Sequence, residues 1–361
     1  MIKVLSYWVN RYFSDPQVII LAFLLIAGFL FILTMGDMLT PVLAGAVIAY
    51  LLEGIVALLQ RYRSPRLVAV ILVFLLFMAC LILLIFILIP LLVNQVGQLL
   101  QEVPSMIVRG QEELTELQTK YPQYISENQI KQITGVLGGE LTKLGQHIPS
   151  ISVASVRGLL TLLVYLILVP LLVFFFLKDK VKITHWLTGF LPANRELSNE
   201  VWQEVNLQIG NYVRGKIWEI FIVWGVSYIT FITLKLKFTM LLSLFVGLSV
   251  LVPYIGATIM FFPVGLVAYF QWGWDSSFIY VMVALGIIQA LDGNLLVPLL
   301  LGEVVDIHPV AIIVAVLVFG GLWGIWGLVF AIPLATLVHA VIKAWAKQRM
   351  KRKTTEQECK E

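Results

Sequence analysis

The chain has 361 residues, of which 60% are hydrophobic and 13% charged, with a formal net charge of +4. Soluble domains carry about 25% charged residues, so a soluble globular protein is excluded. The small basic excess sits in short segments between apolar runs, which argues against a nucleic-acid surface. Only two cysteines occur, Cys80 in an apolar run and Cys359 in a polar tail, so no structural disulfide is expected.

Asp, Glu, Lys and Arg are all missing from five windows: 16–36, 67–101, 158–177, 238–274 and 307–342. About 20 apolar residues cross a bilayer as a helix. The pattern predicts an all-α polytopic membrane protein of about six to eight transmembrane segments, two of them re-entrant hairpins, with a small helical extracytoplasmic domain. Residues 1–98 form the N-terminal transmembrane helices. Residues 1–14 mix polar and aromatic side chains without a small-residue cleavage site, so no signal peptide is expected. Spans are expected over 17–35 and 38–59, the latter with Glu53 near its inner end. A third starts at Leu67, stays apolar past Pro90 and continues as a stalk through Asn94, Gln95 and Gln98.

The composition turns globular over 99–155, where Glu102, Glu112, Glu113, Glu116 and Lys120 interleave with apolar residues at helical spacing. This stretch reads as the extracytoplasmic domain. A further span occupies 156–178 and ends at Lys178, Lys180 and Lys182. Residues 179–213 form a cytoplasmic amphipathic segment whose Trp186, Phe190 and Trp202 suit the membrane interface.

Residues 214–345 read as a transport core, followed by a basic tail over 346–361. A span over 215–234 leads to 238–270, two short helices meeting at Val252-Pro253-Tyr254-Ile255-Gly256. A span over 278–301 follows, broken at Asp292-Gly293-Asn294. The segment 309–342 again reads as two short helices, meeting at the cluster of Gly320, Gly321, Gly324 and Gly327. Pro253, Tyr254 and Gly256, and these four glycines, are the expected hairpin tips, where backbone lines a cavity. Span plus hairpin thus occurs twice with opposite sidedness, and Ile255-Gly256 through Pro263 aligns with Trp326-Gly327 through Pro333 with one gap. Inverted repeats of this kind build midplane binding sites from discontinuous helices.

An intramembrane carboxylate costs about 2.5–3.5 kcal/mol and marks a functional site by default. Asp292 is therefore the leading candidate. With Gln289, Gly293, Asn294 and Pro298, which frees a backbone carbonyl, it would form a polar pocket for a solute or a monovalent cation. Glu53, Arg214, Lys216 and Glu219 lie near cytoplasmic ends and read as snorkelling or locally paired. His308 and His339 have no ligand cluster beside them, so no metal is expected. No Walker A sequence and no nucleophile–base pair occur, so neither an enzyme nor a cofactor is expected.

Basic residues set the orientation. With the N-terminus inside, the inner segments hold 18 of the 25 Lys and Arg, including Arg61, Arg63 and Arg66. Both termini are expected to be cytoplasmic.

Pro253-Tyr254-Ile255-Gly256, Gln289-Ala290-Leu291-Asp292-Gly293-Asn294-Leu295-Leu296-Val297-Pro298, Val305-Asp306-Ile307-His308-Pro309 and the Gly320–Gly327 cluster before Ala331-Ile332-Pro333 occur in that order. The chain resembles the autoinducer-2 exporter family, also called PerM-like permeases. That family usually carries Glu-Gly-Asn where this chain has Asp292-Gly293-Asn294; the shorter acid keeps the charge but shifts its reach. The resemblance implies a bacterial inner-membrane secondary transporter, a homo-oligomer (a pentamer), moving its hairpins in an elevator-like manner. Taken together, these features predict export of a small polar solute coupled to an ion or proton through Asp292. Sodium/proton antiport is the alternative. From another class, a membrane scaffold would use the extracytoplasmic domain to recruit partners.

Overall fold

The computed structural model describes residues 16–120, 162–189, 196–253, 255–301 and 308–358. Most of the sequence-assigned extracytoplasmic domain, and Tyr254, lie outside the described residues. Among the described residues the fold is all-helical: α1 Pro16–Arg61, α2 Arg66–Leu83, α3 Ile89–Lys120, α4 Leu162–Lys178, α5 Lys180–Thr188, α6 Glu196–Thr233, α7 Thr239–Ser249, α8 Ile255–Trp272, α9 Ser276–Leu291, α10 Val297–Leu301 and α11 Pro309–Glu358. Five of these stretches are long and apolar enough to cross a membrane, or six with α4 and α5 taken as one bent span.

The runs 17–35 and 38–59, expected as separate spans, lie on one continuous helix, α1. The two-residue link Gly36-Asp37 is itself helical, and a glycine inside a helix costs only about 1 kcal/mol. At 46 residues α1 is about 69 Å long, more than twice the hydrocarbon thickness of about 30 Å. The third expected span likewise continues as a single rod: α2 passes through a π-helical turn at Leu84–Leu88 into α3, which runs on to Lys120. The amphipathic stretch before Asn211 and the span after Gly215 also share one helix, α6.

Two packing units result. In the first, Ala49 and Val56 of α1, Val70 and Val73 of α2, and Val173 and Leu177 of α4 form a buried apolar core. At its basic end Arg66 grips Glu53 through two 3.3 Å bonds and donates to the Leu177 carbonyl at 2.8 Å. Lys180, just past the 83° bend between α4 and α5, joins the same carboxylate at 3.1 Å. Glu53 is thus held by two cations from two other elements.

The second unit surrounds α6, which touches α1, α7, α9, α10 and α11. Its first hairpin is α7 turning into α8. Gly256 sits so close to the Ser249 carbonyl that any Cβ there would collide with backbone. Outside the tip, α3 clamps the base of this hairpin. Gln95 accepts from the Leu241 N–H at 2.9 Å, Glu102 pairs with Lys237 at 2.9 Å, and Tyr269 donates to Glu113. At the turn into α9, Asp275 caps the helix, and N–H donors of Ser276 and Ser277 hold its carboxyl below the usual carboxylate range.

The second hairpin lies within α11, which bends at Gly324 through a left-handed backbone (φ 58°) open to glycine and strained for other residues. Its arms, Val310–Gly324 and Phe330–Val341, pack antiparallel: Ile312, Ala315, Val316 and Phe319 meet Leu328, Ala331 and Ala335. Gly327 lies against the Phe319 carbonyl and Gly320 against Leu328.

Gly327→Ala and Gly256→Ala are therefore expected to force the arms apart, at about 1–3 kcal/mol each. Gly321→Ala, where a Cβ meets open space, is expected to leave stability unchanged or raise it by up to about 1 kcal/mol. Thermal melting of the detergent-purified chain checks the contrast.

Candidate functional site

Residues three or four apart share a helix face, and on α6 that face carries Tyr212, Lys216, Glu219, Val223 and Ser227. All five are buried. Lys216 and Glu219 form an ion pair of 2.6 Å, with side chains 8% and 1% exposed. The same ammonium donates to the Val250 carbonyl at 2.8 Å. Val250 closes α7, so Lys216 ties α6 to the tip of the first hairpin. A helix C-terminus carries partial negative charge, which suits a cation there.

The second contributor is the helix running through Asp292. The expected break at Asp292-Gly293-Asn294 is a widening instead: α9 enters a π-helical turn, Asp292–Leu296, and leaves it as α10. The Val297 N–H bonds the Asp292 carbonyl five residues back. Proline explains the turn. Pro298 has no N–H, and in an α-helix its ring would strike the carbonyl four residues earlier; an inserted π turn relieves that clash. The other π turn, Leu84–Leu88, stands in the same relation to Pro90, with Ile89 bonding Leu84. Such turns are frequent at functional sites.

The sequence-derived site residues part company here. Asp292 is buried at 7% exposure, its Oδ1 without a hydrogen-bond partner. One helical turn earlier both amide atoms of Gln289 are also buried and unpartnered. Asn294 is exposed and donates to the Ala290 carbonyl at 2.7 Å, so its amide serves the backbone around the π turn. Gly293 and Pro298 are exposed. Pro253 and Gly256 belong to the first hairpin tip, beside Val250. The second hairpin bends at Gly324; Gly320 and Gly321 lie in its outgoing arm, Gly327 faces the Phe319 carbonyl of that arm, and the arms reach α6 through Ile312 and Ile332 against Tyr212.

Asp292 feels Lys216 electrostatically, and Glu219 in turn feels Asp292. The π turn packs against α6, and these three ionisable side chains, all buried, come from the two elements. Sequence reasoning grouped Lys216 and Glu219 with Arg214 at a cytoplasmic end. Arg214 is exposed, donating to the Gly210 carbonyl at 3.0 Å and to Asn211 at 3.2 Å. Lys216 and Glu219 are paired locally, but inside the protein rather than snorkelling. The available signal was their spacing: an i, i+3 Lys–Glu pair in phase with apolar Val223 belongs to the inner face.

Residues 18–347 match the model of the AI-2E family transporters. The chain belongs to that family. It is 42% identical over 345 residues to PerM of Escherichia coli (strain K12), which carries the name of a permease, covering 96% of this chain and 98% of that protein. YueF of Bacillus subtilis (strain 168), named as a transport protein, is 27% identical over 324 residues, covering 87% of this chain and 85% of YueF. YrrI of the same organism, also named as a transport protein, is 23% identical over 318 residues. This is a multi-pass membrane protein of a transporter family.

Removing one partner of a buried ion pair strands the other at a cost of about 3–5 kcal/mol, whereas replacing both is often near neutral. Lys216→Met is therefore expected to lower thermal stability sharply, and Lys216→Met with Glu219→Gln to recover most of the loss. Melting curves of the three proteins in one detergent check it.

Proposed function

We propose that the chain is a secondary active transporter that exports a small polar solute across the bacterial inner membrane, coupled to an ion or proton through Asp292. The observation that carries this reading is the buried Asp292 carboxylate, with an unpartnered oxygen, on a π turn facing the helix that holds a hairpin tip. A carboxylate in that position is costly unless it exchanges a charge with its surroundings. Re-entrant tips at membrane midplane, an elevator-like movement and assembly as a homo-oligomer (a pentamer) belong to the same proposal. The matched family's name supports export of a signal-like solute. The equivalent placement of Gly256 and Gly327, each against a carbonyl of the preceding arm, supports a true inverted repeat. Sodium/proton antiport is a second reading, favoured by Glu219 as another buried carboxylate.

In inverted vesicles loaded against a solute panel, sodium or a proton gradient, Asp292→Asn is expected to lose coupled flux at least about tenfold while expression and assembly persist. Asp292→Glu is expected to keep part of it. Wild-type flux with unchanged pH and sodium dependence in Asp292→Asn would remove Asp292 from the mechanism.

Basic-residue placement puts the loop at Arg63 and the tail at Lys347 inside, and Lys120 outside. It also assigns the N-terminus inside, against the uninterrupted course of α1. Single cysteines in intact cells are expected to label at position 120 and to stay protected at 63 and 347. Labelling at position 3 then decides whether α1 crosses the membrane once.

A further inference from the structure

We propose that Lys216, Glu219 and Asp292 form one exchange site for a single positive charge, proton or alkali cation, in which Glu219 is the second carboxylate and Lys216 the resident counter-cation. The proposal rests on the reading that Asp292 is part of the transport site, and adds what that site binds and how it is balanced.

Formal charges at the cluster sum to −1, from one ammonium and two carboxylates, all buried. That balance leaves room for one positive charge and disfavours a divalent ion. The oxygens to receive it are present. Glu219 gives Oε1 to Lys216, while its Oε2 is buried without a partner, on a side chain only 1% exposed. Asp292 Oδ1 and the Gln289 carbonyl oxygen are buried and unpartnered on the facing element. Carboxylate and amide oxygens are the ligands that hard cations take, and a lone carboxylate oxygen also takes a proton. Unsatisfied buried oxygens are expensive; an arriving cation removes that cost. Among the described residues the ionisable groups electrostatically coupled to Glu219 are Lys216, Asp292 and Tyr212, and Lys216 touches it.

Lys216 also makes the site sense the hairpin. Its ammonium is shared between Glu219 and the Val250 carbonyl. A cation or proton on Glu219 weakens the first of these bonds and leaves the second, so occupancy changes how firmly α6 holds the hairpin tip.

The test uses the full chain purified in detergent, with radiolabelled sodium in a scintillation binding assay, and with proton uptake followed by an indicator dye in sodium-free buffer. The two arms separate the sources of charge. Glu219→Gln brings the cluster to zero and is expected to weaken binding in the responding arm by about tenfold or more. Lys216→Gln takes it to −2 and is expected to strengthen binding by about tenfold or more. This opposite sign is what a merely structural lysine would not give. Because Lys216→Gln risks poor folding, Lys216→Arg is measured beside it: it keeps the cluster at −1 while its fork takes up the second Glu219 oxygen, so its binding is expected to fall below wild type. Unchanged binding in Glu219→Gln, with binding lost in Asp292→Asn, would overturn the two-carboxylate site and leave the Asp292 reading standing. Binding unchanged in both variants would overturn both. Weaker binding in a folded Lys216→Gln protein would overturn the counter-cation role.

Discussion

The buried pair of Lys216 and Glu219 sets conditions that the surrounding elements have to meet. Charges at this depth are tolerated only when wrapped in protein and supplied with hydrogen bonds. That requirement accounts for α6 being enclosed by five other elements rather than lying against lipid on most of its circumference. It also accounts for the first hairpin ending where it does. The α7 arm has only 11 residues, and its last carbonyl region is where the Lys216 ammonium arrives. A longer α7 arm would carry that carbonyl away from the ammonium. Arm length and the position of the ion pair are therefore one constraint.

The hairpins themselves rest on a second device, close backbone approach at glycine. Gly256 and Gly327 occupy equivalent places, at the start of the returning arm and against a carbonyl of the outgoing one, Ser249 and Phe319. Small residues at helix contacts let van der Waals packing operate where lipid offers no hydrophobic drive. The first hairpin is further held from outside by α3, through Gln95, Glu102 and Glu113. A helix that leaves the apolar core as α2 thus returns polar contacts to the core as α3, and the two packing units are joined along it.

How much of this the sequence discloses depends on the kind of signal. Missing charge is a first-order effect in a membrane, so the apolar windows and the long helices built on them are legible. The fate of short polar interruptions is not. Gly36-Asp37 looked like a loop and is helix, because one glycine costs a helix only about 1 kcal/mol. Asp292-Gly293-Asn294 looked like a break and is a π turn, because the disturbance comes from Pro298 and needs one extra residue per turn, not an opening. Lys216 and Glu219 were hardest to place. From sequence, a charged pair near a span's basic end reads the same whether it snorkels or turns inward, and only packing against α7 and α9 separates the two.

The choice of lysine at position 216 fits this setting better than arginine would. An ammonium is a compact point charge with three donors, whereas a guanidinium brings five donors in a fixed fork. Lys216 spends one donor on Glu219 and one on Val250, which leaves a single further donor to satisfy in a region already short of partners. Five would add to the buried deficit that Gln289, Glu219 and Asp292 display. The planar fork would also fix the carboxylate in a bidentate grip, closing the Glu219 oxygen that is now open. A single-point contact keeps one oxygen engaged and the other available, and it is this division that gives a buried, paired carboxylate chemistry left to do.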